Sequence, residues 1–92
     1  VRFEWDPRKS LTNQARHGID FAAAQALWDD PRRIEVAARP MDEPRSLITG
    51  RIGQTLWSAV VTYRHAHTTI RLISVRRARK EEAARYEEED RV

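Results

Sequence analysis

The chain has 92 residues, 40% hydrophobic and 34% charged, with a net charge of +3 and no cysteine. This describes one globular domain, residues 1–92, near the lower size limit for a self-sufficient core, and it excludes disulfides, thiolate metal sites and a disordered composition. No apolar run approaches the roughly 20 residues of a membrane-spanning helix, and "VRFEWDP" lacks a signal-peptide core, so a cytoplasmic protein is expected.

"VRFEW" alternates, with Val1, Phe3 and Trp5 on one side and Arg2 and Glu4 on the other, which predicts a half-buried strand. Asp6 and Pro7 then supply a helix N-cap and first helical residue. The helix should run to His17 and stop at Gly18, with Ile19 making the contact that accompanies a left-handed ending. Asp20 caps a second helix, "FAAAQALWDD", closed by Pro31.

The middle of the chain is β. "RIEVA" is a short strand and "ARPMDEP" a loop with two prolines. "SLITG" and "TLWSAVVTYR" form a hairpin around "RIGQ". In the second arm Trp57, Ala59, Val61 and Tyr63 share one face, and Leu56, Ser58, Val60 and Thr62 the other. Both faces are largely apolar, which predicts a central strand. "RHAH" turns into "TTIRLISV", and a charged helix follows from about Ala78 to Asp90.

Charge is sharply segregated near the C-terminus. From Arg64 to Lys80 there are six bases (Arg64, Arg71, Arg76, Arg77, Arg79 and Lys80) and no acid; from Glu81 to Asp90 there are six acids and one base, Arg85. Strict alternation places Arg71 and Arg77 on one face of the last strand and Arg76 on the other with Ser74. Bases at a helix start oppose the macrodipole, an arrangement suited to anion binding because guanidinium forks and helix N–H groups then act on the same phosphate. The plain alternative is a solvated strand end.

Six further residues have two readings each. Lys9, in the first turn of the first helix, is a surface lysine or a phosphate ligand. His17, at that helix's end, either satisfies terminal carbonyls or moves protons near neutrality. Glu82 and Tyr86, at i and i+4 of the last helix, are cap and core or part of a catalytic site. His65 and His67 point the same way if extended, but a zinc site needs a third ligand and none is adjacent.

Two well-separated motifs carry a family resemblance. "FEWDPRKSLTNQARHGIDFAAAQALWDDP" (with Lys9, Asn13, His17, Gly18 and Phe21) and "IRLISVRRARKEEAARYEEE" closely resemble the BrnT toxins of type II toxin–antitoxin systems. The resemblance implies an α+β fold similar to RelE-type toxins: a short strand, a helical hairpin, an antiparallel meander and a C-terminal helix. It implies cleavage of RNA without metal or cofactor, arrest of translation, and neutralisation in a hetero-oligomer by a BrnA-type antitoxin that binds operator DNA. Arg79 stands where the family usually has a Ser or Thr N-cap.

RNA cleavage by internal attack of the 2′-hydroxyl needs a proton acceptor, cations for the phosphorane, and a proton for the leaving 5′-oxygen. The expected catalytic set is Arg76, Arg77, Arg64, His17 and Glu82, with Lys9, Arg71, Arg79 and Lys80 binding substrate. A non-catalytic nucleic-acid-binding module is the competing reading, because basic strand ends hold phosphates without cutting anything. A third is a regulatory partner whose basic face docks an acidic protein.

Overall fold

The computed structural model describes residues 1–38 and 44–90. Strand β1 (Arg2–Glu4) leads into α1 (Pro7–His17). The predicted caps are all in place. Asp6 accepts a hydrogen bond from the Arg8 N–H at 2.9 Å, and Gly18, at φ 81°, donates its N–H to the Gln14 carbonyl. Asp20 accepts from the Ala23 N–H at 2.8 Å and opens α2 (Phe21–Ala24).

The second helix departs from expectation, because beyond Ala24 it tightens into a 3-10 segment, Gln25–Asp29. Phe21, Ala24 and Leu27 are all fully buried, and their spacing of three matches the three residues per turn of a 3-10 helix. This segment lies very close to the sheet. A Cβ added at Gly50 would come within 3.1 Å of Leu27 Cδ2 and 3.2 Å of Arg33 Cβ, so glycine there permits the contact.

The sheet contains β1, β2 (Ile34–Ala37), β3 (Ser46–Ile52), β4 (Thr55–Arg64) and β5 (Thr69–Arg77), in the order β1-β5-β4-β3-β2. β2 to β5 form the expected antiparallel meander, while β1 adds to β5 in parallel, so the sheet is mixed. β4 is central, as its two apolar faces predicted. The β3–β4 hairpin turns on Gly53 and Gln54 alone, since Arg51 and Ile52 still pair with β4. Residues 39–43 of the proline loop lie outside the described residues.

The two sides of the sheet carry different cores. On the hairpin side, Ile19, Phe21, Ala24 and Leu27 pack against Ile48, Trp57, Ala59, Val61, Leu72 and Val75. Full burial of one such large side chain contributes about 1.5–3 kcal/mol. The other side is covered in part by α3 (Lys80–Asp90), and the layer beneath it is polar: Thr49, Ser58 and Glu82 are buried there. α3 begins two residues later than expected, and its first turn carries Glu81 and Glu82. The misplaced bases of the sequence reading therefore largely precede the helix, and the macrodipole meets acids.

β5 contains an extra residue. Val60 pairs with Ser74 and Val61 with Leu72, which leaves Ile73 as a bulge. The bulge reverses alternation, so Arg71 (opposite Thr62) and Arg77 (opposite Trp57) lie on different sides. The expectation that they share a face is thereby corrected; Arg71 instead shares the α3 side with Ser74 and Arg76. Beyond Arg71, β5 has no strand on its outer edge, and Asn13 of α1 takes that place. Its Oδ1 accepts from the Val75 N–H at 3.1 Å, while its Nδ2 donates to the carbonyls of Val75 and Ile19, both at 2.8 Å.

Asn13→Ala should therefore destabilise the protein by about 2–4 kcal/mol, because it leaves buried backbone groups without partners. Urea unfolding at neutral pH measures this; a loss under 1 kcal/mol would mean that water replaces the amide.

Candidate nucleic-acid interface

The six clustered bases meet different fates. Arg71 donates to Glu4 at 2.9 Å, and Arg64 approaches the same carboxylate at 3.7 Å. Arg77 lies over the Trp57 ring, 5.8 Å from its centroid. Arg79 and Lys80 extend into solvent at the start of α3. Arg76 is half-buried and bound by Glu82, with Nη1 to Oε1 at 2.8 Å and Nη2 to Oε2 at 2.9 Å. As alternation predicted, Arg76 and Arg77 point to opposite sides.

Glu82 gathers donors from three parts of the chain. Besides the two guanidinium bonds, Oε1 accepts from the Ser58 hydroxyl at 2.8 Å and from the Arg79 N–H at 2.9 Å. The Arg79 contact is the returning half of a capping box, three residues from acceptor to cap, and it forms although the cap residue is not Ser or Thr. The Arg76 hydrogen bonds, opposed by burial and helped by Arg79 and Ser58, hold the Glu82 carboxyl down at about 2. The same contact raises Arg76 further above its ordinary range.

Arg76 retains binding capacity. Its Nη1/Nη2 edge serves Glu82, and Nη1 also donates to the Arg77 carbonyl at 3.3 Å. A guanidinium has five N–H donors in fixed directions. The Nε–H and the second Nη2–H lie side by side on another edge and meet no partner among the described residues. That edge is a fork matched to two oxygens of a phosphate.

Along the outer edge of β5 is a depression of about 280 Å³. Lys9, Thr12, Arg16 and His17 of α1 line one side, Ile73 and Ser74 of the bulge the other. The fold thus brings Lys9 and His17 to the strand carrying Arg76, beside Ile73 and Ser74. Ser74 belongs to both regions, since it lines the depression and shares the α3 side with Arg76.

The remaining candidates lie elsewhere. Arg64 is at the far end of β4. His65 and His67 occupy the β4–β5 turn, where His65, Ala66 and His67 all have positive φ, so they do not form an extended pair. His67 packs on Tyr63, ring centroids 4.9 Å apart, and the Tyr63 hydroxyl donates to Glu35 at 2.8 Å. Burial and that carboxylate push the Tyr63 phenol up to about 12. Among the described residues, no three His, Asp or Glu side chains group as a metal site would require.

Several important residues were not singled out from sequence. Ser58 and Thr49 lie directly opposite in the β3–β4 register, a pairing that the hairpin's Gly53 turn could have revealed. Asp30 accepts from the Tyr86 hydroxyl and the Arg51 N–H, both at 2.8 Å, and so joins the 3-10 segment to β3 and α3. Burial alone would raise its pKa, but these bonds and one from the Arg32 N–H lower it. Tyr86 is therefore buried core with a satisfied hydroxyl, as its default reading held.

The depressed Glu82 pKa carries a sign for stability. A carboxyl ionising lower in the folded than in the unfolded state contributes stability above its ordinary value of 4.5, lost as pH falls through about 2. Asp30 acts in the same direction. Urea unfolding between pH 7 and pH 2 should show this loss, and Glu82→Gln should remove part of the pH dependence while costing about 3 kcal/mol at pH 7. An acid limb unchanged by Glu82→Gln would mean that other carboxylates produce it.

No curated protein matches the chain. The family model described as "Ribonuclease toxin, BrnT, of type II toxin-antitoxin system" matches residues 5–82. The matched span takes in α1, the meander from β2 to β5, and the start of α3 as far as Glu82, so the chain belongs to the BrnT family of ribonuclease toxins.

Proposed function

We propose that this protein is a metal-independent endoribonuclease of RelE-like architecture that halts translation by cutting RNA in the cytoplasm. Family membership supports the ribonuclease class, an RNA target and an antitoxin partner. No described helix is long and apolar enough to cross a membrane. The observation that carries the catalytic reading is the Nε/Nη2 edge of Arg76, left over by the fork to Glu82 and two residues along β5 from Ser74 of the basic depression.

In this reading the Nε/Nη2 edge of Arg76 holds two non-bridging oxygens of the scissile phosphate. The 2′-oxygen attacks phosphorus, the P–O5′ bond breaks, and the cation offsets charge building on the phosphorane. His17 takes the 2′-hydroxyl proton as the O2′–P bond forms, and the leaving 5′-oxygen takes a proton from water. Glu82, held ionised by four donors, acts on the reaction by orienting Arg76. Arg77, on the other side of the sheet, and Arg64, at the far end of β4 beside the Arg71–Glu4 pair, stand apart from this centre, while Lys9, Arg79 and Lys80 hold neighbouring phosphates and supply salt-dependent affinity. A BrnA-like antitoxin, itself an operator-DNA binder, closes the site in a hetero-oligomer by covering the β5 end with an acidic or amphipathic segment.

Purified protein should cleave RNA in EDTA. Arg76→Lys, which keeps the charge and loses the fork, should lower the cleavage rate by about 10²–10³, with RNA affinity changing far less. Gel-resolved cleavage and salt-dependent binding decide this. Activity that vanishes with chelator and returns with zinc or magnesium would overturn the metal-free mechanism. RNA binding with no cutting would establish the binding module instead.

A further inference from the structure

Beneath α3 the sheet buries two hydroxyls that no role so far accounts for. Ser58 is fully buried and Thr49 is 2% exposed, and their oxygens are 2.8 Å apart. Burying a hydroxyl is unfavourable unless it is hydrogen-bonded, and an apolar pair would fill this space without that requirement.

The direction of this pair is fixed by its neighbour. Glu82 is ionised and only accepts hydrogen bonds, so at 2.8 Å Ser58 must donate to it. A serine hydroxyl has one proton, and Ser58 has spent it. The Thr49 contact therefore runs the other way, with Thr49 donating to Ser58. The result is a one-way line from β3 through β4 to α3, ending on the carboxylate that holds Arg76. Each donor polarises the next, so the line strengthens the bond to Glu82.

We propose that Thr49 and Ser58 are positioning residues for Arg76, their hydroxyls fixing the Glu82 carboxylate and, through it, the guanidinium edge offered to an RNA phosphate. This rests on the reading of Arg76 as the phosphate ligand. Ser58 restricts Glu82 from the strand side, Arg79 N–H from the helix start, and the guanidinium fork completes the set. Without Ser58, the carboxylate keeps its charge but loses the contact that ties it to β4, and Arg76 moves with it. Misplacement of a reacting contact by even about 1 Å costs up to about 10² in rate, whereas attraction of RNA to the basic surface is indifferent to it.

The test uses the full chain with Ser58→Ala, Thr49→Val, Thr49→Ser and Arg76→Lys, each checked for folding by circular dichroism and urea unfolding. Expected is a kcat loss of about 10-fold or more for Ser58→Ala and about 3-fold for Thr49→Val, with KM nearly constant. Thr49→Ser, which restores the hydroxyl, should recover the wild-type rate. Titration of the Glu82 carboxyl by carbon NMR should shift upward in Ser58→Ala, less in Thr49→Val, and little in Thr49→Ser. Wild-type kcat in Ser58→Ala alongside an impaired Arg76→Lys would overturn the positioning role and leave the function standing. Full activity in Arg76→Lys would overturn the reading of Arg76 as the phosphate ligand, and the positioning role with it.

Discussion

The carboxylate of Glu82 is the constraint on which the functional end of this protein depends. It is buried, ionised, and bound to β5, to β4 and to the start of its own helix. A lone buried carboxylate would be strongly unfavourable, and a lone buried guanidinium likewise, so each is tolerable only because the other is there. Such a pair contributes little net stability compared with an apolar alternative. What it does supply is direction: the bidentate geometry permits one orientation of the guanidinium plane. The helix start, the strand end and the free donor edge of Arg76 are thereby fixed together.

Asn13 plays the corresponding part on the outer edge of the sheet. β1 is three residues long and pairs with β5 only as far as Arg71. A bare strand edge beyond that point would leave backbone groups open to pairing with other chains. The Asn13 side-chain amide satisfies both groups of Val75, as a neighbouring strand would. That contact also sets α1 beside the Ile73 bulge, which forms the wall opposite Lys9 and His17. One amide thus both closes an edge and builds the groove.

Much of the fold is legible in the sequence because its signals are local. Asp6, Pro7, Gly18 and Asp20 act within a few residues of themselves, and the two apolar faces of β4 state its central position directly. The bulge at Ile73 has no such signal: no glycine marks it, and the Asn13 side chain that bonds the same strand edge at Val75 lies 62 residues away in sequence. Strict alternation puts Arg71 on a face with Arg77, and the bulge separates them. The start of α3 is masked in the sequence for a related reason. Arg79 obscures a capping box whose returning half, from Glu82, is sufficient by itself. Ser58 reads as an ordinary member of an apolar strand until the register sets Thr49 on one side of it and α3 brings Glu82 to the other.

The pile of positive charge at the end of β5 overstates the charge available to a polyanion. Arg64 and Arg71 share Glu4, Arg76 faces Glu82, and Arg77 rests on an indole. Arg79 and Lys80 remain open at the helix start, and Lys9 and Arg16 join them across the bulge. Counterion release depends on cations that reach phosphates, whatever the sequence total. In the proposed reaction, two functions are therefore divided between two sets of bases. The open side chains would draw RNA in from any direction with no control of geometry. Arg76, already neutralised on one edge and rigid because of it, adds little long-range attraction. Its second edge acts only at contact, where orientation decides the outcome.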